Sequence, residues 1–317
     1  MINSIEYRRA FQNYVTKGEA IPSEFKNAVT TTKEIGTVIP EVVLQRILEK
    51  LEVNGQLLQL ITRTSYKGGV SIPTSNLKPV ATWVAENAIS DIQNKPTGNI
   101  TFGYFKLRCA IGNSLEVETV SMDMFERIFV SQVVEAMTKA LEKAIISGAG
   151  SQSNQPTGIL VEENLDATRN VEVAANKAVN YQTLIEAEGK LELAYESGAV
   201  YVMTKKQFME FAGMQDSAGQ PIARTNYGIT GAPERTLLGR RVVLVEGEYM
   251  PTTLSTKLAG TVVAFLFNMK DYVLNTNLNM TIKKYEDHTN DSFVTKAILL
   301  ADGKVIDKNS LVTITKK

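Results

Sequence analysis

The stretch from Ser121 to Leu160 restricts the fold of this chain more than any other. SMDMFERIFVSQVVEAMTKALEKAIIS places Met122, Phe125, Phe129, Val133, Met137, Ala140 and Ala144 in steps of three and four, the spacing of one helix face. Ser121 suits the N-cap. Asp123 suits the first turn, where the aligned peptide dipoles favour negative charge. Lys139 and Lys143 lie toward the other end, and Gly148 is the expected stop. One helix of ~26 residues would run about 39 Å, roughly twice the usual globular length. The stripe sustains no heptad, which argues against a coiled coil. The following GAGSQSNQPTGIL (148–160) has the glycines of a phosphate-binding loop in the wrong place. Such loops precede a helix, so that its free N-terminal N–H groups face the anion. Here the glycines follow one, and no G-K-[ST] is present. We read a helix stop and turn.

The rest of the chain is long enough to give this helix a core: 317 residues, 44% hydrophobic. Lys+Arg and Asp+Glu both total 34, so the chain has no global attraction for nucleic acid. Basic pairs such as Arg8-Arg9 and Arg240-Arg241 are too sparse for a nucleic-acid stripe. The single cysteine, Cys109, excludes an intramolecular disulfide. The start, MINSIEYRRAFQNYV, lacks the apolar run and cleavage site of a signal peptide. No apolar window of ~18 residues is long enough to span a membrane. A soluble protein made in a cytoplasm is expected.

Residues 3–17 read as a short amphipathic helix. Asn3 and Glu6 resemble a capping box, Tyr7, Ala10, Phe11 and Tyr14 share a face, and Gly18 ends it. Residues 18–37 look like an extended arm with too few apolar residues for a core of its own. A second helix is expected from about Glu41 to Val53, with Pro40 at its start and Asn54-Gly55 at its end. Residues 63–112 read as strand and turn. Segments 80–84 and 99–111 carry strand-type residues, and Phe105, Leu107, Cys109 and Ile111 alternate with Lys106, Arg108 and Ala110. The polar stretch between them suggests one long hairpin. A two-stranded hairpin is marginal alone in water, so a long one implies a surface to lie on, its own core or a neighbour's. After residue 160 the pattern is mixed. Asn180 caps a predicted helix carrying Leu184, Ala187, Leu191 and Ala194, ended by Gly198. Strand 199–204, a short helix over 205–212 and a turn from Asp216 to Pro221 follow. Strands are expected within 237–245 and 261–267 and along the last 40 residues, with Asp302-Gly303 as a tight turn between two of them. No internal repeat or low-complexity tract is present.

No catalytic constellation emerges, and no cofactor or metal site is expected. His288 is the only histidine, in KYEDHTND, and one histidine cannot supply a multi-histidine zinc site; a solvated loop is the simpler reading. A Ser-His-Asp triad would have to use it, and no G-x-S-x-G elbow presents a serine. Cys109 falls on the apolar side of an alternating strand, the setting of a structural thiol. Glu86, after the only tryptophan, Trp83, is either an exposed carboxylate at a hairpin edge or half of an intersubunit salt bridge. What the chain has instead is an arm, a long hairpin and a long helix, and such reaching elements usually meet other subunits.

In this order the parts resemble the major capsid proteins of tailed bacteriophages, with the Hong Kong 97-type fold. EYRRAFQNYVTKGE (6–19) resembles the start of the ordered capsid chain, and TVIPEVVLQRILEKLEVNGQLLQLITRT (37–64) the end of the N-terminal arm and its helix. PVATWVAENAISDIQNKPTGNITFGYFKLRCAIGNSLE (79–116) is similar to the extended hairpin loop. ISGAGSQSNQPTGIL (146–160) resembles the end of the spine helix and the turn after it. RTLLGRRVVLVEGEYMP (235–251) is similar to the axial-domain segment with its L-x-G-x-x-V core, and the final strands to the peripheral domain's closing sheet. The resemblance implies an α+β chain divided into an N-terminal helix and arm (1–40), an extended hairpin loop (63–112), a peripheral domain with spine helix and sheet (41–62, 113–164 and 256–317) and an axial domain (165–255). It implies a structural protein, not an enzyme. Copies would assemble through pentamers and hexamers into an icosahedral shell around phage double-stranded DNA, made in the host bacterial cytoplasm and ending in the virion. The implied partners are further copies of the chain, portal and scaffolding proteins, and packaged DNA by weak non-specific contact, with no membrane. Candidate intersubunit contacts are Trp83, Glu86, Lys78 and Lys95 of the hairpin region and Tyr7 and Phe11 of the N-terminal helix.

Two features depart from the pattern. Many members carry an N-terminal scaffolding segment that a protease removes, whereas here Met1 stands almost directly before EYRRAF. Either a separate scaffold serves, or the segment has been trimmed. Some members form a Lys–Asn crosslink between subunits. Lys67, Lys78 and Lys95 lie in or near the hairpin, but nothing in the sequence would depress a lysine pKa there, and ordinary surface lysines are the simpler reading. Two rival functions remain: a bacterial nanocompartment shell of the encapsulin kind on the same fold, and a soluble α+β enzyme with an unrecognised site.

Overall fold

The computed structural model describes residues 6, 8–10, 12–13, 55–65, 71–75, 97–113, 122–162, 166–215, 219–221, 223–227, 233–250, 260–276, 281–287 and 292–317. Within them the long helix is present as predicted: α1 spans Met122–Ser147, 26 residues. From residue 128 onward, where burial is described, its buried apolar residues are Phe129, Val130, Val133, Val134, Met137, Leu141, Ile145 and Ile146, with Thr138 buried beside them. The stripe therefore runs from Met137 to Leu141 and Ile145, not to Ala140 and Ala144, which are half-buried. The larger side chains take the core because burial is worth more per residue as apolar area grows.

Strands β1 (Thr62–Thr64), β2 (Ser71–Ser75), β3 (Thr97–Thr101) and β4 (Phe105–Asn113) precede α1. After it come β5 (Asn170–Val173), α2 (Tyr181–Lys190), β6 (Ala199–Thr204), α3 (Lys205–Ala212), β7 (Ala223–Tyr227), β8 (Pro233–Leu237) and β9 (Arg240–Val245). The chain closes with β10 (Thr261–Asn268), β11 (Tyr272–Thr276), β12 (Thr281–Asp287), β13 (Ser292–Val305) and β14 (Val312–Lys316).

Among the described residues these strands form three sheets. A seven-stranded sheet runs β5-β14-β10-β6-β9-β8-β7, a five-stranded sheet is built round β13 from β1, β11, β12 and β4, and β2 pairs β3 alone. The seven-stranded sheet separates two cores. In β6, Tyr201 and Met203 pack with Phe208 and Phe211 of α3 and Leu184 and Ala187 of α2. Val202 points the other way, with Phe265 and Phe267 of β10, into the core that holds α1. The period of two in these strands thus assigns alternate side chains to different cores.

Several local expectations hold. Glu6, Arg8, Arg9, Ala10, Gln12 and Asn13 are helical. Asn180 caps α2, its side chain accepting from Thr183 N at 3.0 Å within a capping box. β6 and α3 lie at 199–204 and 205–212. Others are corrected. The predicted strand over 99–111 is two strands in different sheets. Phe102 is buried at the break and Gly103 N donates to Asp302 Oδ2 at 2.6 Å, which turns the chain from β3 into β4. The helix from Asn180 stops at Lys190. Leu191 is extended and Ala194 lies in a separate 3-10 turn, Leu193–Tyr195. Asp302-Gly303 is no turn. Both residues sit inside the 14-residue β13, opposite Asn275 and Leu274 of β11. The actual tight turn is Leu238-Gly239, between β8 and β9, where both residues have positive φ (51° and 81°) as a two-residue hairpin connection needs. The arm over 18–37, the helix from Glu41 to Val53, strand 80–84 and His288 lie outside the described residues.

Candidate assembly elements

The helix exit is built from backbone. Gly148 N still donates to Ala144 O, the last helical bond, and a Cβ on Gly148 would come within 2.2 Å of Pro156 O and 2.5 Å of Ala144 O. Gly150 has φ 79°. The amides that would cradle a phosphate are spent inside the protein. Ala149 N donates to Gln155 Oε1 at 3.3 Å, and Gly150 N to Pro156 O at 3.3 Å. The chain then folds back on the helix end, with Gly158 N, Ile159 N and Leu160 N donating to Gly148 O, Ile145 O and Ile146 O. The turn is structural, as the order of its glycines predicts.

Next to it lies a junction that the local sequence pattern disguises. Asp302, 1% exposed, accepts from Gly103 N at 2.6 Å and from Gly303 N at 2.8 Å, so one carboxylate ties the root of the β2–β3 ribbon to β13. Burial holds its carboxyl above the usual carboxylate range, against the pull of those two N–H groups and of Lys304. Tyr272 O–H donates to Thr157 O at 3.1 Å, which pins the helix-exit turn to β11. Burial, then the charges of Asp302 and Glu162, push that phenol upward. Gly303 is required here, since a Cβ would lie 2.3 Å from the Tyr272 hydroxyl. The one available signal, Asp-Gly, is shared with hairpin turns, which is why the pattern misled.

At the far side of the seven-stranded sheet, Arg240 Nε donates to Glu188 Oε1 and Oε2 at 2.8 and 2.9 Å, and its guanidinium also reaches the Glu196 carbonyl. Tyr201 O–H donates to the same Glu188 at 2.9 Å. Arg240, half of a basic pair in the sequence, is thus an internal strut joining β9, α2 and β6. Beyond it, Leu193 is 84% exposed, and Tyr181 and Ile185, one turn apart on α2, are also exposed.

None of the sequence-predicted contact residues falls in the described part. Trp83, Glu86, Lys78, Lys95, Tyr7 and Phe11 all lie outside it, as does Lys67. Cys109 is half-buried in β4, and burial pushes its thiol up, away from the reactive thiolate. Among the described residues no cluster of three or more His, Cys, Asp or Glu could hold a metal, and no helix is long and apolar enough to cross a membrane.

With this geometry in view, the likeness to known proteins is informative. The model of the phage capsid family matches residues 36–316. Among solved structures, the capsid of the native GTA particle is similar with a TM-score of 0.63 at 16% identity, over 92% of this chain and 96% of that one. A structure from Microbacterium phage Oxtober96 is similar at 0.58 and 11%, over 92% and 95%. The holo-SrpI encapsulin complex of Synechococcus elongatus PCC 7942 is similar at 0.55 and 15%, over 92% and 93%. At such identities the structures speak to the fold alone, which is of the Hong Kong 97 type. No curated protein sequence matches the chain.

Proposed function

The chain belongs to the phage capsid family, and from that premise we propose that it is the major shell protein of a tailed phage, assembling through pentamers and hexamers into an icosahedral capsid around double-stranded DNA. The observation that best supports assembly is the β2–β3 ribbon. Among the described residues it pairs with neither large sheet, yet its root is held by Asp302. A two-stranded ribbon is marginal by itself, and a neighbouring copy is the surface that would stabilise it. Head-to-tail contacts of this kind are heterologous and close into rings when the rotation permits. Many modest contacts then hold the shell by multivalency.

The reading extends to parts. An N-terminal helix and arm over 1–40, a hairpin loop over 63–112, a peripheral domain over 41–62, 113–164 and 256–317, and an axial domain over 165–255 are our proposed division. The last two would share the seven-stranded sheet, to which β10 and β14 contribute from the C-terminal segment. We assign intersubunit contacts to Trp83, Glu86, Lys78, Lys95, Tyr7 and Phe11. The role is structural, without catalysis. Assembly in the host cytoplasm, portal and scaffolding partners and weak DNA contact complete the proposal.

Negative-stain microscopy of the purified protein tests it: rings or closed shells are expected, and persistent monomers under assembly conditions would overturn it. The likeness to an encapsulin keeps a nanocompartment shell as the second reading. Shells that copurify with a cargo enzyme, free of DNA, would favour that one. For the hairpin, deletion of residues 85–99 should leave a folded subunit that no longer assembles.

A further inference from the structure

Among the described residues β4 is an edge strand. All nine of its residues pair with β13, from Phe105 opposite Ala301 to Asn113 opposite Phe293, and among the described residues its other side pairs with nothing. In an antiparallel strand alternate residues turn their N–H and C=O away from the partner, so this side presents a row of donors and acceptors. Along the first four residues of β4, about 13 Å of strand, a cleft of about 850 Å³ opens between it and the C-terminal half of α1. Lys106, Arg108 and Lys143, all exposed, line it, together with Lys296. Among the described residues no carboxylate lines it. Ala140 and Ala144 supply a shallow apolar wall. This also accounts for those two alanines, which belong to the predicted helix stripe yet are left out of the core.

We propose that this cleft is a docking groove for an extended, acidic peptide segment of a partner protein, which adds to the open side of β4 as a further strand. Main-chain bonds to the edge would give affinity, and the cations would choose the partner. Lysine and arginine on an edge keep out a second copy of the same edge by repulsion, and for the same reason they admit an acidic strand. The alanines leave room for small or β-branched side chains at alternate positions. A DNA duplex is a poorer occupant: its phosphates can accept from the edge N–H groups but offer no donors to the edge carbonyls and gain nothing from the apolar wall. The proposal does not depend on the shell reading, since a single subunit carries the whole groove.

The test is fluorescence anisotropy with the purified subunit and a labelled peptide as long as β4, with glutamates on both faces of the strand among valine and threonine, because Lys106 and Arg108 alternate with Leu107, which faces α1. Binding is expected to weaken about tenfold or more on raising NaCl from ~50 to ~500 mM, through screening of exposed charges. It should weaken to a similar degree in Arg108→Glu and Lys143→Glu, and be lost when alternate peptide amides are N-methylated, which removes the ladder donors. A peptide with lysine in place of glutamate should not bind. Should Arg108→Glu unfold the chain, Lys143→Glu, on an exposed helix position, reads the same effect alone. Equal binding by the charge-reversed variants or by the N-methylated peptide overturns the proposal. So does a short DNA duplex that binds more tightly than the acidic peptide and displaces it.

Discussion

Asp302→Ala tests the junction on which the root of the hairpin rests. The substitution removes the acceptor of two backbone N–H groups. Gly303 is buried, so its amide would be left without a partner at a cost of about 1–3 kcal/mol. Gly103 is exposed, so water can replace the carboxylate there and the loss is about 1 kcal/mol. Against these stands the relief of taking a charge out of a buried site, the same burial that raises the Asp302 carboxyl. A net loss of about 1–3 kcal/mol follows. With ~2.1 cal/mol/K of unfolding entropy per residue, a chain of this length shifts by about 1.5 °C per kcal/mol, hence by roughly 2–5 °C. Thermal denaturation of the unassembled subunit measures the global effect. Amide hydrogen exchange measures the local one, and Gly103 and the residues of β3 should exchange faster while α1 keeps its protection. Unchanged melting together with unchanged exchange at Gly103 would show that the carboxylate holds nothing.

Three further outcomes follow from the same geometry. Gly148→Ala places a Cβ against two backbone carbonyls that cannot swing aside, and should cost more than about 3 kcal/mol in chemical denaturation. A loss under about 1 kcal/mol would mean the helix exit is looser than described. Arg240→Ala leaves the partly buried Glu188 with only the Tyr201 hydroxyl, and should cost about 2–3 kcal/mol. Arg240→Lys should recover little, because an ammonium cannot reproduce the planar, two-point contact. Glu142 accepts from Leu57 N at 3.0 Å, and burial raises its carboxyl above the usual value. The folded state therefore holds that proton more tightly than the unfolded one. Glu142 thus contributes stability below the ordinary carboxylate range that is lost as pH rises through its raised value. Melting temperature against pH should show this part of the slope in the wild type and not in Glu142→Gln, and equal slopes would refute the assignment.

What the sequence reveals here depends on how local the cause is. α1 was legible because its stripe, its length and Gly148 are local and agree with one another. So was the cap at Asn180, where the bonding partner is three residues away. The period of two in β4 was legible as well, with Lys106, Arg108 and Ala110 exposed and Phe105, Leu107 and Cys109 half-buried. The errors arose where a distant residue decides. Asp302-Gly303 has the composition of a turn, yet β11 and Gly103 hold it in a strand. The break at Phe102–Tyr104 needs that same carboxylate, 199 positions away in the chain. Leu191 and Ala194 keep helical spacing, yet Leu191 and Glu192 are extended and Ala194 falls in a separate 3-10 turn, an exit that the spacing alone does not reveal. The pairing of β2 with β3 had no local signal, because Pro73 reads as a breaker and is tolerated only on an edge such as this ribbon offers.

The place of the last strand adds a constraint on how the subunit reaches its final form. β14 does not lie at the rim of the seven-stranded sheet. It is inserted between β5, to which it is parallel, and β10, to which it is antiparallel. Its side chains also seal the inside of that sheet. Val312 and Ile314 complete the core beneath α2 and α3, and Thr313 and Thr315 donate through their hydroxyls to the buried Asn170 of β5. A chain stopped before residue 312 would leave β5 detached, Asn170 without these partners and one core open at its edge, a defect far larger than a single lost contact. Long-range pairings of this kind form late, because the loop-closure entropy of the intervening chain must be met first. The sheet that divides the two cores is therefore closed only when residues 312–316 join it, and the surfaces that depend on both cores become rigid only then.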